Sequence, residues 1–264
     1  MARIYDRPVW QLLIEYANQT LDESKTSFHR SEAVEWFASN YPLIKKGTIH
    51  AHLIKMSTNA IGRVGWNPNS NHNVFFALGR AQYRRYDPVH DPQPITRDNV
   101  DTLRELRNSA SVESADISDY EGGNDSEFAF ERDLQNFLVK NLHLIEDGLK
   151  LYEEDEINGV EYPVGGRRID ILAVDKDGAL VVIELKVSKG HDRVIGQILR
   201  YLGWIKKNLA EDDQHVRGII IAKEITDDLQ LACTMISDIS LREYSISFSV
   251  EQVNWDAEDS SDYP

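Results

Sequence analysis

Glu184 and Lys186 are charged residues placed where a buried strand would otherwise run unbroken. In VVIELKV, residues 181–187, Val181, Val182, Ile183, Leu185 and Val187 form an almost continuous apolar run, the pattern of a strand covered on both faces. The two charges lie two residues apart, so a strand points them to one face. Charge in such a place is costly unless it is paired or bound to a cation. Asp170 belongs to the preceding apolar stretch, RRIDILAVD, and DKDGA joins the two.

Loop length decides whether Asp170 meets Glu184. A two-residue loop at Asp177-Gly178 puts Asp170 opposite Leu185, with Glu184 on the other face. A three-residue loop, Lys176 to Gly178, puts Asp170 opposite Glu184. The longer loop wants glycine at its last, left-handed position, and Gly178 stands there. Directly opposed residues have Cβ atoms about 4.5–5.5 Å apart. Two carboxylates that close repel each other unless a cation lies between them. Oxygen-only ligands on strands, with room for water, suit Mg²⁺ or Mn²⁺. Lys186 would then orient or deprotonate an attacking water, or stabilise charge building on a phosphate.

The surrounding elements must hold these groups. The 264 residues allow two modest domains, and 41% hydrophobic with 28% charged residues is ordinary for a globular chain. The first residues lack the order of a signal peptide, and no apolar run approaches the roughly 18 residues of a membrane span. The one cysteine, Cys233, excludes an internal disulfide, so a reducing cytoplasm is expected.

The net charge of −15 is unevenly spread. Residues 1–105 hold 13 Lys+Arg against 11 Asp+Glu, residues 106–130 hold 1 against 6, and residues 131–264 hold 15 against 27. A polyanionic partner would therefore meet the N-terminal third first. Residues 109–126, SASVESADISDYEGGNDS, lack apolar periodicity and mark an acidic linker, taken as 106–126; residues 256–264 read as a disordered tail.

Before the linker, Asp6 and Pro8 open a first helix carrying Val9, Trp10, Leu13 and Ala17. Ser31 is the expected cap of a second, and Thr48 of a third with Ile49, Leu53 and Met56 inside. VFFALGRAQYRRYDP reads as a hairpin turning at Gly79. Three helices and a hairpin is the order of a winged helix. In that reading Lys45, Lys46, Thr48, His50 and Lys55 face a DNA groove and Arg80, Arg84 and Arg85 form the wing.

After the linker the pattern is α/β over 127–255. A helix over FAFERDLQNFLVKNLHLI carries Phe130, Leu134, Phe137, Leu138 and Ile145 inside. Strands follow near 168–175 and 179–187, a helix near 192–208, a strand at VRGIIIA, a helix near 226–236 and a strand at SISFSV.

Asp170 followed by Glu184-x-Lys186 across a hairpin resembles the PD-(D/E)xK nuclease motif, with Ile169 where the motif has proline. The blocks FERDLQNFLVKNLHLIEDGLKLY, GRRIDILAVDKDGALVVIELKV, VIGQILRYLGWI and VRGIIIA, spanning roughly 127–235, are similar to the catalytic domain of the NucS/EndoMS DNA endonucleases. The resemblance implies a restriction-endonuclease-like fold, a central mixed sheet flanked by helices, and Mg²⁺-dependent cleavage of DNA. It also implies that Asp170 and Glu184 hold the metal, that Lys186 serves the water, and that Gln197 and Tyr201 lie beside the metal centre. Glu131 is the favoured helical carboxylate of the site and Glu127 its rival. The N-terminal third does not resemble the N-terminal domain of NucS. It looks like winged-helix modules of restriction and defence nucleases, so mismatch specificity does not follow.

The expectation is a two-domain endonuclease of restriction, defence or repair type that binds DNA. A homodimer is expected because two cuts on opposite strands need two sites. A non-catalytic DNA-binding protein, or a nuclease for single-stranded or flapped substrates, are the alternatives. His72 in NSNHNV lacks the rest of an HNH motif, and His50-x-His52 lacks zinc spacing and cysteine partners.

Overall fold

The computed structural model describes residues 5–100, 125–190, 193–247 and 249–251, with backbone alone for 125–129 and 188–190. The expected tail lies outside these residues. So does the expected linker up to residue 124; residues 125 and 126 already belong to a helix.

The N-terminal unit runs α1 (Val9–Thr20), β1 (Ser27–His29), α2 (Arg30–Asn40), α3 (Lys46–Lys55), β2 (Phe75–Gly79) and β3 (Gln82–Arg85), with strand order β1-β3-β2. That is the winged-helix order. Pro8 starts α1 at φ −67, pre-set for a helix. The expected cap of α2 moves back two residues: His29 accepts the Ser31 N–H, while Glu32 accepts the His29 N–H at 2.7 Å. That reciprocal pair satisfies two helix-end donors, which Ser31 alone would not. Thr48 likewise lies inside α3, which starts after Lys45. The wing hairpin turns through Gly79, Arg80 and Ala81, all at positive φ.

The second half runs α4 (Asp125–Lys140), β4 (Lys150–Leu151), β5 (Glu153–Glu154), β6 (Ile157–Asn158), β7 (Val160–Val164) and β8 (Arg167–Val174). It continues with β9 (Leu180–Gly190), α5 (Arg193–Asn208), β10 (Val216–Ile225), α6 (Asp227–Cys233) and β11 (Ile239–Glu243). The main sheet has the order β11-β10-β9-β8-β4, with β7 also on β8. It is mixed: β10 is parallel to β9 and β11, whereas β8 is antiparallel to its neighbours.

Both faces of β9 are covered, which explains its continuous apolar run. Val181, Ile183 and Leu185 pack under Leu134 and Leu138 of α4. Leu180 and Val182 pack under Ile198, Tyr201 and Leu202 of α5. Phe130 and Phe137, expected inside, are 40% and 55% exposed, because the sheet meets only the ridge of Leu134, Leu138 and Leu142. The expected helix near 226–236 stops at Cys233. The last strand falls at 239–243 rather than in SISFSV, since the Asp238 carbonyl accepts the Gly218 N–H at 2.7 Å and starts the ladder on β10 early.

The two halves share a core. Ala51 of α3 and Trp66 belong to the apolar cluster of Tyr162, Tyr201 and Leu209. Among the described residues no helix is long and apolar enough to cross a membrane.

Candidate active site

The β8–β9 ladder pairs Val174 with Leu180, Ala173 with Val181, Leu172 with Val182 and Ile171 with Ile183. Continuing this register by one step sets Asp170 opposite Glu184. The three-residue loop is the one adopted, with Gly178 at φ +84 and the Ala179 carbonyl accepting the Asp175 N–H at 3.0 Å. The paired rungs end just short of the two acids, and the Asp170 carboxylate instead accepts the Leu185 backbone N–H at 2.7 Å.

Glu184 is 2% exposed, and its Oε1 accepts from Lys186 Nζ at 3.0 Å. By alternation both lie on the face of Val182, toward α5. Burial, then the charges of Glu184, Glu161 and Glu131, push the Asp170 carboxyl well above the usual carboxylate range. Burial lowers the Lys186 ammonium, but Glu184 and Asp170 outweigh it and hold the group charged.

Glu131 on α4 lies within electrostatic reach of both Asp170 and Lys186. The Glu127 side chain is outside the described residues. Gln197 donates to the Tyr201 hydroxyl at 3.0 Å, one turn apart on α5, and Tyr201 is fully buried. Two neighbours were not anticipated. Gln135, one turn after Glu131, bonds the Asp170 carbonyl and Glu161; its i,i+4 spacing from Glu131 was the available signal. Glu161 belongs to β7, a strand that the sequence pattern did not disclose.

The arrangement fits a hard divalent cation in donor type. Among the described residues, no three His, Cys, Asp or Glu side chains form a ready cage. Two carboxylates with water and substrate oxygens completing the shell is how Mg²⁺ is commonly held.

Three of the five N-terminal residues expected to face a DNA groove lie buried instead. Thr48, His50 and Lys55 are 2%, 4% and 2% exposed, because α3 packs against the second half. Thr48 Oγ1 donates to Glu154, and Lys55 Nζ donates to Glu156 Oε2 at 2.9 Å. The His52 ring nitrogens lie 2.9 and 3.0 Å from the carbonyls of Thr48 and Asp155. His50 sits near the Trp204 ring, and burial drops its imidazole to about 3. The acids come from the end of β5 and the turn into β6, where Asp155 and Glu156 both have positive φ.

Lys45 pairs with Glu211 at 2.9 Å, and Arg84 forks onto Asp91 beneath Phe76. Arg85 donates to Asn18 at 2.7 Å. Lys46 and Arg80 are exposed.

Two family models match parts of the chain. Residues 130–256 match the endonuclease NucS C-terminal domain, and residues 8–85 match a domain of unknown function, DUF7669. The endonuclease NucS of Pyrococcus abyssi is 34% identical over 98 residues, 37% of this chain and 35% of that protein. That of Bifidobacterium animalis is 36% identical over 100 residues, 37% and 38% of the two chains. The crystal structure of a repair endonuclease from Pyrococcus abyssi covers 48% of this chain and 49% of its own, at 29% identity and a TM-score of 0.36. The chain spans a third to a half of the length of the curated relatives it matches.

Proposed function

We propose that this chain is a divalent-metal-dependent DNA endonuclease whose reacting groups are Asp170, Glu184 and Lys186. One observation carries the reading: these three residues meet through the β8–β9 register inside the stretch that matches the NucS C-terminal domain. The relatives named endonuclease NucS, and the match to the NucS C-terminal domain, support an endonuclease acting on DNA.

Asp170 and Glu184 would hold the cation, with Mg²⁺ favoured over Mn²⁺. When bound, the cation polarises the scissile phosphate and lowers the pKa of a coordinated water. Asp170 is kept in place by the Leu185 N–H. Lys186 presents a charged donor beside Glu184 and stabilises negative charge growing on the phosphate oxygens. Glu131 adds negative charge from the α4 side, and the Gln197–Tyr201 pair stiffens the facing helix.

Exposed Lys46 and Arg80 would be available to a DNA backbone, with the buried α3 face serving to join the two halves. A homodimer would bring two such sites to two strands.

The test is incubation with supercoiled plasmid and with labelled duplex, single-stranded and flapped DNA, in Mg²⁺, Mn²⁺ or EDTA. Cleavage in either metal and none in EDTA supports the reading. Intact DNA in every metal condition sinks it.

A further inference from the structure

Asp170 needs its backbone, as well as its carboxylate, held in place, and the sheet does not do this in the ordinary way. Leu172, two residues along β8, gives its N–H to the Gly159 carbonyl at 2.7 Å and accepts from the Tyr152 N–H at 3.0 Å. Alternation turns the Asp170 backbone to the same flank, that of β7. There the paired rungs run Val160–Ile171 and Tyr162–Ile169, leaving out the rung between them, Glu161 with Asp170. Glu161 has φ +52, a left-handed conformation that a glutamate adopts only under constraint.

A half-buried carbonyl left out of a ladder still needs another donor. Gln135 supplies it. The residue is 6% exposed, and its Nε2 lies 2.8 Å from the Asp170 carbonyl and 3.0 Å from Glu161 Oε1. Arg168 Nη1 reaches the other Glu161 oxygen at 3.2 Å. Asp170 is thus gripped on one flank by a side-chain amide and on the other by the Leu185 N–H.

We propose that Gln135 and Glu161 form a clamp from α4 to β7 that fixes Asp170 in the geometry cleavage requires, which makes both of them positioning residues. The inference rests on the nuclease reading above. The clamp explains why β7 tolerates a left-handed glutamate: the turned backbone aims its carboxylate at the amide that replaces the missing rung. A misplacement on the order of 1 Å at a reacting group costs about 10²-fold in rate, so a loose Asp170 would slow turnover more than it weakens DNA binding.

Four proteins test this: wild type, Gln135→Ala, Glu161→Ala and Glu161→Gln. The last keeps an acceptor oxygen for Gln135 and serves as the conservative rescue. Cleavage kinetics should show kcat falling about 10²-fold in the two alanine variants with KM for DNA within about threefold. Glu161→Gln should stay near wild type. Calorimetry without DNA should show Mg²⁺ affinity weakened about 10–100-fold in the alanine variants. In the metal-free proteins, amide exchange at Leu185 should quicken at least about tenfold in those two variants alone.

A wild type that cuts DNA while folded Gln135→Ala matches it in kcat and in Leu185 exchange overturns the clamp alone. A wild type that neither cuts nor binds Mg²⁺ overturns the nuclease reading and the clamp's role with it. If Gln135→Ala does not fold, Glu161→Ala against Glu161→Gln makes the same comparison, and equal kcat in those two overturns the proposal.

Discussion

Asp170 and Glu184 oppose each other as like charges, and that has consequences for stability as well as chemistry. The Asp170 carboxyl is raised by burial and by Glu184. An acid whose folded pKa lies above its unfolded value favours folding when protonated, and this advantage fades as pH rises past the unfolded value, the usual 3.8. At neutral pH in EDTA, Asp170→Asn should therefore be more heat-stable than wild type, by about 2–4 °C for a chain of this size. Asparagine keeps an oxygen for the Leu185 N–H, so calorimetry reads the charge alone, and a lower Tm would sink the repulsion argument. Lys186→Ala should behave differently. Turnover should fall on the order of 10²–10³-fold, as on loss of one electrostatic donor, while metal and DNA binding stay near wild type. Cleavage that survives Lys186→Ala undiminished rules Lys186 out of the chemistry, whatever becomes of the fold.

At the scale of elements, the β8–β9 hairpin carries the site. A strand's side-chain period is two, so one residue more or less in the turn would send Asp170 and Glu184 to opposite faces. Gly178 permits the chosen turn through its φ of +84, and no atom lies within 4 Å of where a Cβ would stand. Gly178→Ala should cost about 1 kcal/mol in urea denaturation, from backbone strain alone. Cleavage should persist, because four paired rungs hold the register independently of the turn. A lost site in folded Gly178→Ala would mean that the turn rather than the ladder sets the register. The hairpin was legible because loop length, glycine position and apolar alternation all agreed. β7 was not: VEYPV has a proline and a glutamate at positive φ, so neither alternation nor composition marks it as a strand.

At the scale of the molecule, the N-terminal unit is fastened to the second half through α3. The fastening is partly apolar, through Ala51 and Trp66, and partly ionic, through Lys55 and Glu156. His50 lies in this junction as a buried imidazole lowered to about 3, and no partner for its Nδ1 is found among the described residues. A histidine with a folded pKa below its unfolded 6.5 leaves stability complete above 6.5 and removes it as pH falls below. By pH 5 the loss from His50 alone is about 2 kcal/mol. His50→Leu should abolish that part of the slope between pH 7 and pH 5 in urea titrations and match wild type or better at pH 7, since leucine leaves no buried polar atom unsatisfied. An unchanged slope would place the acid sensitivity elsewhere.

What the sequence determined by itself was local and periodic. The β9 run with its two charges, the turn that aligns Asp170, the i,i+4 pair of Gln197 and Tyr201, and the winged-helix order follow from spacing within a few residues. Each has a physical signature that survives without knowledge of neighbours. The use of α3 did not. Thr48, His50 and Lys55 have the composition of a groove-facing helix, and the same polar groups suit an acidic turn equally well. Only the fold brings Glu154, Asp155 and Glu156 onto them, from about a hundred residues along the chain. Gln135 and Glu161 were hidden for the same reason: their roles depend on a rung missing between β7 and β8. A missing hydrogen bond leaves no mark in sequence, because what defines it is the geometry of two strands at once.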